Sequence, residues 1–256
     1  MTTFGGVVRG EWVKLRSVRS SGFAVLGAAL TMIVAGLVFA ATIGTDSDGA
    51  DGVTDPAGIT LSGAIFAQLL TGVLGVLLMS GEYATGMIKP TLTAVPSRLP
   101  VLAGKVAVLV GTVFPAVLAS AFVVFFAGQV VMGNAGLPTA RIGDAGVLGA
   151  VVGSAVTMTG VAVLGLALGA LLRTTAGAVS TLVFLVFLAP GLGGLLLPAS
   201  WRDNAVKFLP SSAAEAFTQV APAPGLLGAP AGAAVFSAWV VVPLLAAAVL
   251  LRRRDV

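Results

Sequence analysis

The sequence contains no cysteine and no histidine among its 256 residues, and these two absences remove several kinds of functional site. Without cysteine there is no disulfide framework, no thiolate nucleophile and no cysteine-ligated metal. Without histidine there is no zincin-type metal site, no Ser-His-Asp triad and no histidine proton relay. The side chains that remain offer little catalytic or metal-binding chemistry.

Charged residues are also scarce, at 9% of the chain, whereas 57% of the residues are hydrophobic. The mean hydropathy of +1.07 lies far above that of a water-soluble domain. A globule of this composition has too little polar surface to cover itself, so much of the apolar surface must face lipid. We therefore predict an all-α integral membrane protein.

Six stretches of about 20 residues lack Asp, Glu, Lys and Arg, and each is long enough to cross a bilayer core of about 30 Å. They cover residues 22–43, 61–80, 106–132, 146–172, 176–197 and 231–251. The sequence therefore predicts one transmembrane domain over residues 1–256, with a six-span bundle over residues 22–251 and a short tail over residues 252–256. Pro115, Pro190 and Pro243 are expected to kink their spans.

The positive charges flank the apolar runs, and their distribution predicts the orientation. With six spans, one side of the membrane carries both termini, the loop over residues 81–105 and the turn at Arg173. Eleven of the fourteen Lys and Arg residues fall on that side: Arg9, Lys14, Arg16, Arg19, Lys89, Arg98, Lys105, Arg173, Arg252, Arg253 and Arg254. Both termini are therefore expected in the cytoplasm of a multi-pass protein of the cell membrane. Because the charges form no basic stripe on a soluble face, we expect no nucleic-acid partner.

Residues 1–20 combine apolar residues at helical spacing with positive charges. The apolar positions are Phe4, Val7, Val8, Trp12 and Leu15. This pattern predicts a helix on the cytoplasmic interface, with Trp12 at headgroup level and with Lys14 and Arg16 facing anionic membrane lipid. The alternative is a charged flank that only sets topology.

The longest outer connection covers residues 198–230 and contains five prolines. Residues 213–220 have helix-forming composition, which favours one or two short helices in this last outer loop. An irregular surface loop is the alternative, because proline interrupts helices.

No phosphate-binding loop occurs in the chain: the Gly104-Lys105 pair is followed by Val106 rather than by Ser or Thr. No ionisable residue lies near the middle of a predicted span, although ion-coupled transporters usually need such groups. If the protein moves a substrate, the energy is therefore expected from a partner on the cytoplasmic side.

The first inner loop carries the most distinctive polar motif, with Glu82 at the end of the second span, Gly86 four residues later, and then Pro96-Ser97-Arg98. This arrangement resembles the signature of ABC-2 type permeases, the membrane subunits of ABC exporters. The opening segment Glu11-Trp12-Val13-Lys14-Leu15-Arg16-Ser17 is similar to the interfacial helix of actinobacterial members. The ending Arg252-Arg253-Arg254-Asp255 also resembles theirs.

The resemblance implies an export permease with no catalytic residue, no metal and no cofactor of its own. Its expected partners are a cytoplasmic ABC ATPase subunit, which binds the ATP, and a second permease subunit, identical or different. The residues expected to couple the loop to the ATPase are Glu82, Gly86, Pro96 and Arg98. The alternative is an ordinary positively charged inner loop in which Glu82 has no special role.

Polar and small residues within the spans leave further alternatives open. Gln68 and Gln129 either line a substrate path or bond across helices, and packing is the favoured interpretation. The pairs Gly149 with Gly153 and Gly165 with Gly169 favour close packing of helices within the bundle over a dimer contact.

Two other classes of function compete with the permease interpretation. A membrane-embedded enzyme would need converging acid, base or nucleophilic groups, and the sequence offers none. A membrane scaffold or accessory subunit without transport activity is the stronger rival, because helix packing alone explains every span.

The orientation can be tested with single introduced cysteines, because the native chain has none. In intact cells an impermeant thiol reagent is expected to label Asp51→Cys in the acidic outer loop and not Ser97→Cys in the inner loop. Ser97→Cys should become labelled once the membrane is permeabilised. Labelling in the reverse pattern would contradict the predicted orientation.

Overall fold

The computed structural model describes residues 3–43, 53–87, 98–198, 204–221 and 225–253, and these residues form helices joined by short connections with no strand among them. The helices are α1 (Phe4–Ser17), α2 (Arg19–Ile43), α3 (Pro56–Leu61), α4 (Ala64–Ala84), α5 (Arg98–Asn134), α6 (Val147–Leu172), α7 (Thr175–Val183), α8 (Ala189–Leu196), α9 (Pro210–Thr218) and α10 (Ala229–Arg253). A π-helical turn (Phe184–Leu188) joins α7 to α8, and a 3-10 turn (Val206–Phe208) precedes α9.

Six helical segments in these described ranges are long and apolar enough to cross a membrane, as the sequence predicts. They are α2, the α3–α4 unit, α5, α6, the α7–α8 unit and α10. The main difference concerns α5, which begins at Arg98 rather than near Val106 and contains 37 residues. At 1.5 Å per residue α5 is about 55 Å long, so it extends beyond a hydrocarbon core of about 30 Å.

The centre of the bundle is the contact between α4 and α6, and α6 is the most buried span. Glycines allow the two backbones to approach closely. A Cβ atom added at Gly165 would overlap the carbonyl oxygen of Gly72, and one added at Gly75 would overlap that of Ala162. Hydroxyl groups complete the contact, since Thr71 Oγ1 donates to the backbone oxygen of Met158 over 3.0 Å.

The predicted packing role is confirmed for three of the four glycines of the small-residue pairs. Gly165 and Gly169 face the backbone of α4, and Gly153 faces Phe217 of α9. Gly149 has no heavy atom within 4 Å of an added Cβ, so no described neighbour requires a glycine there.

The helix predicted within residues 198–230 is confirmed as α9, which packs against α6 and α10. At Gly232 of α10 the backbone approaches Ala213, and Trp239 Nε1 donates to the backbone oxygen of Phe208 over 2.7 Å. These contacts bind the outer connection to the last span.

The three prolines of the spans lie within the helical segments. Pro115 is inside α5 and Pro243 is inside α10. Pro190 follows the π-helical turn, in which the amide of Ala189 bonds the oxygen of Phe184 five residues earlier. Since Pro190 has no amide hydrogen to continue the regular pattern, the wider turn is a local adjustment to it.

Gly165→Ala is expected to lower the thermal stability of the purified protein, because the new methyl group would overlap the α4 backbone. Such overpacking costs about 1 to 3 kcal/mol. Gly111→Ala is the matched control, since Gly111 also lies within a span and an added Cβ meets nothing within 4 Å. Equal melting temperatures of the two variants in detergent would contradict the proposed α4–α6 contact.

Candidate functional site: a buried charge cluster

Four charged side chains meet at the end of the bundle where α4 ends and α5 begins. They are Glu11 and Lys14 of α1, Glu82 of α4 and Lys105 of α5, and we call them the charge cluster. Two carboxylates face two ammonium groups, so the charge cluster is neutral as a whole. It joins three helices that are far apart in the sequence.

Lys105 lies at the centre of the charge cluster and is only 1% exposed. Its Nζ is 2.7 Å from Glu11 Oε2, 2.7 Å from Glu82 Oε1 and 3.3 Å from the backbone oxygen of Leu78. An ammonium group has three hydrogens, and each of them has an acceptor here. Removing such an ion from water costs several kcal/mol, and these three bonds are what offset that cost.

Lys14 closes the charge cluster from the solvent side. Its Nζ is 2.8 Å from Glu11 Oε1 and 2.9 Å from Glu82 Oε1. Burial lowers the pKa of Lys14, but its hydrogen bonds to Glu11 and Glu82 outweigh burial and raise the pKa above the ordinary 10.5. The stability contributed by this raised pKa is fully present below pH 10.5 and is lost as the pH rises through the folded value.

The sequence pattern of α1 explains how Glu11 reaches the bundle. Val7, Glu11 and Leu15 follow each other at four-residue spacing and form the buried stripe of the helix. Gly104 allows α1 to lie close to α5, because a Cβ at Gly104 would be 3.0 Å from Val7 Cγ1. Phe4, in the first turn, and Trp12, beside the buried stripe, are exposed, which is compatible with an interfacial helix.

The structure corrects two expectations about this region. Lys14 does not lie on the lipid-facing side of α1 with Arg16, which is exposed; it bonds Glu11 and Glu82. Glu82 is not a residue of the inner loop, since it lies within the last turn of α4 and is buried at 9% exposure. Its Oε2 is buried and has no hydrogen-bond partner among the described residues.

The other predicted loop residues have separate positions. Gly86 follows the end of α4 with a φ of +72°, and its amide bonds the oxygen of Tyr83, so it terminates the helix. Arg98 begins α5, and its Nη1 donates to the backbone oxygen of Leu251 near the end of α10 over 2.9 Å. Pro96 lies outside the described residues.

The turn between α6 and α7 belongs to the same end of the bundle. Arg173 has a left-handed φ of 57°, which allows the tight turn. Its guanidinium group lies 5.3 Å from the ring centroid of Tyr83, the residue that follows Glu82 in the sequence. The ends of α4, α6 and α10 and the start of α5 therefore lie together, as an even number of alternating spans requires.

The two glutamines predicted as packing or path residues differ. Gln129 bonds across elements, because its Nε2 donates to the oxygen of Pro56 over 3.2 Å and its Oε1 accepts from the amide of Ala140 over 2.7 Å. Gln68 instead lines a cavity at the end of the bundle opposite the charge cluster.

Sequence reasoning missed Glu11 and Lys105 as members of the site. The signal was present in both cases. Glu11 interrupts an apolar stripe at its centre, and Lys105 stands next to the apolar run that begins at Val106, so each needs a partner of opposite charge. Spacing along the chain could not show which acid meets which lysine.

The fold and the charge cluster define a polytopic membrane protein with an amphipathic helix docked against the base of its bundle. The family model of the ABC-2 family transporter protein matches residues 7–191, from α1 through the α7–α8 unit. The chain therefore belongs to the ABC-2 transporter family and is a membrane component of transport. A search of curated proteins finds no match to it.

Lys105→Met is expected to lower the stability and the membrane abundance of the protein sharply. The substitution leaves Glu11 and Glu82 buried with Lys14 as the one lysine remaining in the charge cluster, and breaking a buried pair costs about 3 to 5 kcal/mol. Lys207→Met is the matched control, since Lys207 makes an exposed contact with Asn204. Unchanged melting temperature in Lys105→Met would show that the charge cluster does not hold the helices together.

Glu82→Ala is expected to reduce abundance for the same reason, whereas an exposed residue would tolerate it. Glu82→Gln keeps the oxygen that accepts from both lysines and should retain more stability. Quantitative immunoblotting of membranes separates the two cases. Normal abundance of Glu82→Ala would show that the carboxylate of Glu82 is not needed to hold the three helices together.

Proposed function

We propose that this chain is the permease subunit of an ATP-driven exporter and that a separate cytoplasmic ABC ATPase acts on it through the first inner loop. The observation that carries the proposal is the charge cluster, which joins α1 to the two helices that flank that loop. Membership of the ABC-2 transporter family supports the transport role.

The loop between α4 and α5 is held at both ends. On one side Glu82 is bonded to Lys14 and Lys105, within a few residues of the end of α4. On the other side Arg98 is bonded to the end of α10. A force applied to this loop would therefore reach α1, α4, α5 and α10 together rather than bending one helix.

The glycine contact between α4 and α6 extends this unit into the bundle. Because the two backbones touch, α4 has no compressible side-chain layer between it and α6 along that contact. A displacement that begins at the charge cluster would be passed to the most buried span. This is the property that a transmission element requires.

ATP binding is assigned to the partner. The Gly104-Lys105 pair lies inside α5, where Gly104 contacts α1 and the ammonium group of Lys105 is engaged by Glu11 and Glu82. The pair therefore offers no free lysine to a nucleotide phosphate. The cofactor of transport is accordingly ATP on the ATPase subunit.

A second permease subunit, identical or different, completes the proposed transporter. The spans α2, α7–α8 and α10 leave most of their apolar surface uncovered within one chain. Lipid covers part of this surface, and a second subunit would cover another part and enclose the path between the two halves. The competing interpretation, a scaffold or accessory subunit, requires no ATPase and no path.

The proposal predicts that the purified chain hydrolyses no ATP and that a co-expressed ABC ATPase from the same operon copurifies with it. Replacing residues 88–97 by a Gly-Ser segment of equal length should abolish copurification while insertion persists. Replacing residues 44–52 on the opposite side in the same way is the control and should leave copurification unchanged. Hydrolysis by the isolated chain, or copurification that survives the inner replacement, would contradict the proposal.

A further inference from the structure

A cavity of about 280 Å³ opens at the end of the bundle opposite the charge cluster. Its walls come from α3 and α4, α6, the π-helical turn with the start of α8, and α9. Four separate parts of the chain therefore converge on it. The packing and ionic contacts described above leave this space unexplained.

Two of the residues that line the cavity carry a hydroxyl group without a hydrogen-bond partner among the described residues. Thr157 is 7% exposed, and its Oγ1 is buried with no hydrogen-bond partner among the described residues. Ser211 Oγ, on α9, is buried and unpartnered in the same way. An unpaired hydroxyl in such surroundings costs free energy, which a ligand with hydrogen-bonding groups would recover.

Charge in the cavity has one sign. Glu215 of α9 stands at its rim, and no lysine or arginine is among the described residues that line it. The loss of surrounding water raises the pKa of the Glu215 carboxyl group, and no cation of the described ranges offsets this effect. A bound cation would stabilise the ionised carboxylate.

The remaining lining is apolar, with Leu61 and Ile65 on one side and Val186 and Phe187 on the other. Gln68, which is 7% exposed, adds an amide to the lining. The combination of an apolar body, hydrogen-bonding groups and one acidic rim fits an amphiphilic molecule with a positive group.

We propose that this cavity binds amphiphilic organic cations, with Glu215 contacting the positive group and Thr157 and Gln68 contacting polar atoms deeper inside. The inference deepens the proposed export function, on which it rests, by naming the chemical class of the cargo. An anionic lipid is disfavoured because the carboxylate of Glu215 would repel it.

The test uses the full-length chain in nanodiscs of zwitterionic lipid, with ethidium as the cationic probe and N-phenyl-1-naphthylamine as the neutral one. Ethidium should bind saturably, and Glu215→Gln should weaken binding about tenfold or more, because contacts to charged groups are the strong ones. Asp144→Asn is the matched control, since Asp144 is an exposed acid outside the cavity. It should leave ethidium binding unchanged.

Thr157→Val provides a second and independent arm. It removes an unpartnered hydroxyl and keeps the shape, so the melting temperature should stay level or rise while ethidium affinity falls several-fold. The proposal would be overturned if Glu215→Gln and the native chain bound ethidium with equal affinity. It would also be overturned if the native chain bound the neutral probe as tightly as ethidium and only Thr157→Val weakened that binding. The ethidium experiment contains no ATPase, so a negative binding result would leave the proposed export function untouched. Conversely, failure of the ATPase to copurify would contradict the export function but would leave a positive ethidium result valid.

Discussion

The ammonium group of Lys105 lies where water does not reach it, and the base of the bundle is arranged to satisfy its charge. Two carboxylates from different helices and one backbone oxygen surround it. Each carboxylate in turn bonds Lys14, which closes the ring of charges. Removing any one member leaves an uncompensated charge, so α1, α4 and α5 are mutually dependent at this end.

The interior of the bundle uses a different interaction. Between α4 and α6, glycines bring the two backbones into contact within the apolar core. Apolar burial offers little driving force between helices in lipid, so close packing and the bond from Thr71 to Met158 carry this contact. The bundle thus combines an ionic base with a tightly packed centre, and the cavity beside α9 lies beyond that centre.

Much of the fold follows from the sequence because the bilayer imposes a simple rule on length and polarity. The six spans, the interfacial helix and the short outer helix α9 were predicted from apolar runs and helical spacing, with errors at their ends. The start of α5 at Arg98 was missed because Lys105 interrupts the charge-free run by which the span was recognised. Of the site, Glu82 and Lys14 were named from the sequence, but their burial and their partners depend on tertiary contacts that periodicity does not encode.

The central claim of the proposed function is that α1 and the base of α5 would act as one unit if a partner ATPase works on the inner loop. Val7 and Gly104 face each other closely enough for a paired cysteine test in a chain that has no other cysteine. In the assembled complex the Val7→Cys, Gly104→Cys protein should form an intramolecular disulfide equally with and without ATP, and the oxidised complex should keep its ATP-driven transport. Loss of transport on oxidation and its recovery on reduction would contradict the account, because α1 would then have to separate from α5 during the cycle.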